Sequence, residues 1–282
     1  MADTTTAELL HKHFDLALEA PDGIKKLREL ILTLAMQGKL VKQDPKDQPA
    51  SELLKEIGNK KRQVVSEGKT RAASKVPNPS TLKAPVELPA GWEWARLTDL
   101  GYFLGGKTPS TNKSDYWGGK IPWVSAKDMK TRFIVDSEDH VTNKGKESGL
   151  PTIPEGSILM VVRSGILRRK FPTAINKVEC TINQDLKALV PYFATIGEFI
   201  LVMLEGFERF ILSELSKKGV TVESLVFEDF VSTKFPLPPL SEQCRIVAKL
   251  NHLMTLCDSL ESQITEATEK KTEVLESLLS LV

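Results

Sequence analysis

Apolar residues along this chain recur with more than one period. Ile24, Leu27, Leu30, Ile31 and Leu34 keep the spacing of one helix face. Asp22 stands where an N-cap belongs, and Gly38 where a helix can end in the left-handed conformation. Before it, Thr5 and Glu8 form a capping-box pattern for an earlier helix that Pro21 ends, and Ser51 starts a short third one through Leu53, Leu54 and Ile57. Residues 69–90 carry Pro77, Pro79, Pro85 and Pro89 with few apolar positions, the pattern of an extended linker. From Trp92 to about Pro236 the texture changes to short apolar runs broken by Gly, Pro and Asn. Ile158 to Val162, bounded by Gly156 and Gly165, predicts a buried strand, and Ala188 to Val190 a weaker one. Residues 196–215 predict a helix that ends at Lys217, Lys218 and Gly219, cations and then glycine as a helix C-terminus prefers.

The last stretch has the strongest period. Ile246, Leu250, Leu253, Cys257, Leu260, Ile264, Ala267, Val274, Leu278 and Leu281 are spaced by alternating steps of four and three, with Lys271 in the one polar place. That is an a/d heptad seam, and Ser241 after Pro238-Pro239 is a good place to begin it. A helix over residues 241–282 would be roughly 60 Å long at the usual rise. Val247, Met254 and Leu275 at e positions and Leu256 at g make the stripe broader than a two-helix seam, so more than one partner is expected. The expected fold is α+β. It comprises an N-terminal helical region (1–68), a Pro-rich linker (69–90), a domain with a small mixed or antiparallel sheet and helices (91–237), and a long C-terminal coiled-coil helix (238–282).

Composition narrows the function classes. In 282 residues, 41% hydrophobic, no apolar run reaches the roughly 18 residues of a membrane span, and no N-terminal signal peptide is visible. Three cysteines, Cys180, Cys244 and Cys257, are odd in number and widely spaced; a reducing cytoplasm follows, without disulfides. Net charge is only +1 but unevenly placed. Residues 241–282 hold four Lys/Arg against seven Asp/Glu, a net of −3. Arg163, Arg168, Arg169, Lys170 and Lys177 form a run of five basic residues without an acid. Such a patch fits a polyanion.

Candidate chemistry is sparse. Gly101 to Thr108, GYFLGGKT, matches the Walker A pattern, but Pro109 follows at once and no helical period begins there, so a phosphate loop is not expected. His11 and His13 have nothing beside them to complete a metal site, no Asn/Asp-Pro-Pro-aromatic motif or Gly-rich cofactor loop is present, and no pair of acids suits hydrolysis. No catalytic residue, metal or cofactor is assigned. DNA reading is better served. Lys107, Thr108, Ser110, Thr111, Asn112 and Lys113 in one loop, and Arg163, Ser164, Arg168, Arg169 and Lys170 in another segment, are donors for phosphates and base edges. Asn183, Gln184, Lys217, Lys218 and Thr221 are further candidates. Trp92, Trp94, Trp117 and Trp123 are read as core and loop anchors rather than base-stacking platforms.

Several stretches carry a family resemblance. KFPLPPLSEQCRIVAKL (Lys234 to Leu250) resembles the passage from a target recognition domain into the spacer helix of type I restriction-modification specificity subunits. LPAGWEWARLTDLG (Leu88 to Gly101), with GGKTPS and YWGGKIPWVSAKDM (Gly105 to Met129), resembles the opening of that domain. LRELILTLAMQGKLVKQDPKDQPASELLKEI (Leu27 to Ile57) resembles the region after a spacer, and IPEGSIL and INQDLKAL match weaker family blocks. The resemblance implies a non-catalytic subunit that recognises double-stranded DNA and holds methyltransferase subunits, with translocase-nuclease subunits in some systems. A complete member is similar to two recognition domains joined by two antiparallel spacers, whereas this chain shows one of each and resembles a natural or truncated half-subunit. Pairing of two copies through the seam, as an antiparallel coiled coil on an interrupted palindrome, is therefore expected. Two alternatives stay open: the detached recognition part of a fused methyltransferase-nuclease, and a coiled-coil scaffold without a DNA role.

Overall fold

The computed structural model describes residues 22–68, 87–217, 219 and 222–280. The capping box at Thr5, the stop at Pro21, the His11–His13 pair, most of the Pro-rich linker, Lys218, Thr221 and Leu281 lie outside the described residues. The chain divides into two compact units, one of Met1–Asp44 with Cys244–Val282 and one of Pro45–Gln243. The predicted N-terminal helical region is thus shared between them.

In the first unit, helix α1 (Gly23–Met36) buries Leu27, Ile31 and Leu34. Its end is a Schellman turn: Gly38 has φ 66°, and the amides of Gly38 and Lys39 donate to Ala35 O and Leu34 O at 3.2 and 2.8 Å. Its start differs from expectation. Asp22 occupies the cap position in the left-handed conformation, φ 60°, and its side chain makes no capping hydrogen bond.

The larger unit opens with α2 (Ala50–Ser66), which buries Leu53, Ile57 and Val64 and runs two turns beyond the short helix expected from Ser51. Strand β1 (Glu93–Arg96) leads through the single turn α3 (Leu97–Leu100) to β2 (Gly101–Gly105). Next come β3 (Trp117–Val124), β4 (Phe133–Ile134), β5 (Asp139–Val141) and the turn α4 (Asn143–Glu147). Then β6 (Ile158–Val161), β7 (Arg163–Ser164), β8 (Thr173–Asn176), β9 (Thr181–Ile182) and β10 (Leu186–Pro191) follow. Helices α5 (Gly197–Gly206) and α6 (Glu208–Glu214), strands β11 (Ser216–Lys217) and β12 (Glu223–Leu225), α7 (Phe227–Ser232) and β13 (Lys234–Leu237) complete it.

The central sheet has the order β2-β10-β6-β8-β4 and is mixed, with β4 and β8 parallel and the other neighbours antiparallel. All four residues of β6 are buried, as the unbroken apolar run requires of a middle strand. Helix α5, buried from Gly197 and from Phe199 to Leu204, packs on β8 and β6. The single helix expected over 196–215 is broken at Phe207. Gly206 is a weak helix former, and the Phe207 ring is drawn into an edge-on contact with Phe235 at 5.4 Å. Lys217 accordingly sits in a strand, not in a helix's last turn.

Strand β1 pairs with β13, Glu93 opposite Leu237 through Arg96 opposite Lys234, so the unit's first and last strands lie side by side. The buried Trp92 indole, just before β1, donates to Glu242 Oε2 at 3.0 Å. Helix α8 (Leu240–Leu279) starts directly after, its first turn closed by Gln243 N donating to Pro239 O at 2.9 Å. It is 40 residues long. Within the first unit, Arg28 on α1 bridges Asp258 and Glu261 of α8 at 2.6 and 2.7 Å. Leu27 and Ile31 line a pocket of about 360 Å³ with Leu253, Cys257 and Leu260.

Candidate nucleic-acid interface

The loop after β2 is fastened to the end of β9 by close backbone approach. A Cβ on Gly106 would stand 1.8 Å from Asn183 O, so only glycine fits. Lys107 N then donates to Ile182 O at 2.9 Å. The indoles of Trp117 and Trp123 meet edge to face at 5.1 Å and donate to Ser110 O and Lys107 O at 3.2 and 3.1 Å. These two tryptophans are loop anchors, and Trp92 is a core anchor. Lys107 Nζ reaches Ser148 O at 3.3 Å, and the Thr108 hydroxyl donates to Gln184 Oε1. Ser110, Thr111, Asn112 and Lys113 are exposed, with Lys113 Nζ 4.9 Å above the Tyr116 ring. Residues 101–105 of the Walker-like stretch form β2, and the chain beyond Thr108 turns instead of entering a helix, so the N-terminal dipole of a phosphate loop is not formed.

The second segment follows β6. Arg163 and Ser164 form β7, and a 3-10 turn, Gly165–Arg168, follows with Ser164 Oγ accepting from Ile166 N at 3.4 Å. Leu167 and Phe171 are buried on either side of Arg168, Arg169 and Lys170, which are exposed. Two hydrophobic plugs therefore hold three cations outward. Glu208 Oε2 accepts from Phe171 N at 3.1 Å. Burial pushes the Glu205 carboxyl up, while Arg132, 2.9 Å away, and Lys170 draw it back down.

The small sheet β11-β12-β7 brings distant parts together. Lys217 lies opposite Ser224, and Ser224 opposite Arg163. In an antiparallel sheet such partners share a face, so Lys217 and Arg163 flank Ser224 on one face, from positions 54 residues apart. Arg163 Nε also donates to Asp185 Oδ1 at 2.7 Å, and Arg168 Nε lies 3.4 Å from Glu223 Oε1. Asn183 is 8% exposed, and its Oδ1 accepts from Asp185 N at 3.1 Å. Gln184 beside it is exposed. Some of the candidates are thus linked: Thr108 to Gln184, Asp185 (next in sequence) to Arg163, and Arg163 across Ser224 to Lys217. Sequence reasoning missed Asp185 and Glu223. Asp185 directly follows the Asn183-Gln184 pair, so its place beside two candidates was the available signal; Glu223 carried none.

Among the described residues, no group of three His, Cys, Asp or Glu could hold a metal ion, and no helix is long and apolar enough to cross a membrane. The described chain is thus a mixed-sheet domain that returns beside its own first strand and continues directly into a 40-residue helix. The chain belongs to the type I restriction modification DNA specificity family, whose domain model matches residues 89–270. It is 38% identical over 184 residues to the Escherichia coli type I restriction enzyme EcoR124I/EcoR124II specificity subunit, covering 64% of this chain and 45% of that one. It is 32% identical over 263 residues to the Escherichia coli EcoAI specificity subunit, covering 91% and 44%. The HsdS subunit of Thermoanaerobacter tengcongensis shares the fold with a TM-score of 0.51 at 21% identity, over 95% of this chain and 55% of that one. The chain spans about half the length of the curated relatives it matches.

Proposed function

We propose that this chain is the sequence-reading, non-catalytic specificity component of a cytoplasmic type I restriction-modification complex, with double-stranded DNA as its ligand. The observation that carries this reading is the rim, where Lys107, Gln184, Arg163 and Lys217 are gathered from four separate stretches by backbone pairing and the Thr108–Gln184 hydrogen bond. Lys107, Thr108, Ser110, Asn112, Lys113, Arg169 and Lys170 serve phosphates and base edges around it. Asn183 shapes the turn that presents Gln184. The distal part of α8 pairs antiparallel with a second copy, and the complete assembly docks methyltransferase subunits, with translocase-nuclease subunits where the system has them. No cofactor is required of this chain for DNA reading.

The test is duplex binding by the full chain as a function of salt and sequence. Specific binding should exceed random binding by at least about 10³, and log affinity should fall with log salt by about 0.9 per phosphate contacted. Equal affinity for every duplex, or a flat salt dependence, would sink the reading.

A further inference from the structure

Arg163 and Arg168 both face an acid through Nε, but only Arg163 is held there by a hydrogen bond, Arg168 standing 3.4 Å from Glu223 Oε1. Arg163 uses its Nε, not its terminal nitrogens, to meet Asp185 Oδ1 at 2.7 Å. An arginine held at Nε keeps the terminal Nη pair open, and that planar pair matches guanine O6 and N7 in the major groove. The residue that carries this carboxylate is held in place through its own backbone. Asp185 O accepts from Val162 N at 2.8 Å and from Arg163 N at 3.2 Å, and Asp185 N donates to Asn183 Oδ1 at 3.1 Å. Arg163 thus sits in a strand whose backbone is tied to the very residue that orients its side chain. The Arg163 side chain is still 55% exposed, so it is oriented without being covered.

We infer that Arg163 reads a guanine, with Asp185 as its positioning residue, while exposed Arg169 and Lys170 contact phosphate. The inference rests on the DNA-reading function proposed above. An acid beside the rim repels phosphates and so weakens binding to any duplex. Its presence is accounted for if it orients Arg163 and removes the rotamer freedom that binding would otherwise have to freeze.

The experiment selects the preferred duplexes of the full chain from a randomised pool, then repeats the selection with variants. The wild-type motif should contain a guanine whose replacement by 7-deazaguanine, which lacks the N7 acceptor, weakens binding by about 5- to 150-fold, the range of a good bidentate pair. Arg163→Ala and Arg163→Lys should lose preference at that base alone, and 7-deazaguanine should then cost nothing further. The lysine variant keeps the charge and the aliphatic stem, so it separates loss of the planar fork from loss of fold. Asp185→Asn should blunt the same preference while leaving affinity for random duplex unchanged or higher, which a merely structural role would not do. Arg163 variants that select the wild-type motif with undiminished discrimination overturn the inference, as does an Asp185→Asn chain that loses specific and random binding equally. A wild-type chain that selects no motif overturns the DNA-reading function itself, and the inference falls with it.

Discussion

Three cations stand in a row at Arg168, Arg169 and Lys170, yet their surroundings differ. Arg168 already faces the largely buried Glu223 at 3.4 Å, so part of its charge is spent within the protein. Arg169 and Lys170 project between the Leu167 and Phe171 plugs. Replacing all three by Ala should weaken specific and random duplex binding alike, and the slope of log affinity against log salt should flatten by about 2, roughly one unit each for Arg169 and Lys170. An unchanged slope in filter-binding or anisotropy titrations removes this segment from the DNA face. Cysteine reactivity offers a second check at the same scale. Burial pushes the Cys180 thiol up to about 12, with an Asn176 hydrogen bond opposing, and burial raises Cys257 as well. Both are protonated at pH 8 and shielded, whereas Cys244 is exposed. Mass spectrometry after native alkylation at pH 8 should find Cys244 modified first and the other two only in denaturant.

At the scale of elements, the seam of α8 is not uniform. Ile246, Leu250 and Cys257 are at most 3% exposed, whereas Val274, Leu275 and Leu278 are more than half exposed. Leu250→Ala should therefore cost about 2–5 kcal/mol in denaturant unfolding, the price of a buried cavity. Val274→Ala in the monomer should stay within about 0.5 kcal/mol. A heptad pattern reports which positions want burial but not where the partner comes from, so the sequence could not distinguish these halves. Period and punctuation made α8, the Gly38 stop and the β6 strand legible. The break at Phe207 was not, because an aromatic contact to Phe235, 28 positions on, overrides local helical pattern. Nor could sequence show the Asp185–Arg163 and Glu223–Arg168 pairs, which span 22 and 55 positions and depend on strand register. The candidate cations were named from charge and hydroxyl content alone, while the acids paired with two of them became visible only in the structure.

For the whole molecule, the proximal seam is buried, in part beside α1 through Leu27, Ile31 and Arg28, so the proposed pairing would fall to the distal α8. Val274, Leu275, Leu278 and Leu279 are 59, 51, 57 and 74% exposed. Burying each is worth roughly 1.5–3 kcal/mol at most, in two copies, against an association cost of about 4–15 kcal/mol. Self-association is thus expected to be modest and dependent on concentration, with dissociation on the order of micromolar, rather than obligate. An antiparallel pair would be two-fold symmetric and would present identical domains to two half-sites, so the motif should be an interrupted palindrome. Lys271 at a core position is tolerated there if it meets an acid of the partner, and α8 supplies Glu266, Glu269, Glu273 and Glu276 around it. Light scattering from 1 to 100 µM, which brackets that dissociation range, should show monomer passing to dimer. Val274→Glu with Leu278→Glu should keep the chain monomeric without altering its circular dichroism, because both positions are exposed in the single chain. A wild-type chain that remains monomeric across the range and selects a non-palindromic motif would remove pairing through α8 from the proposed function and leave the DNA-reading rim standing on its own.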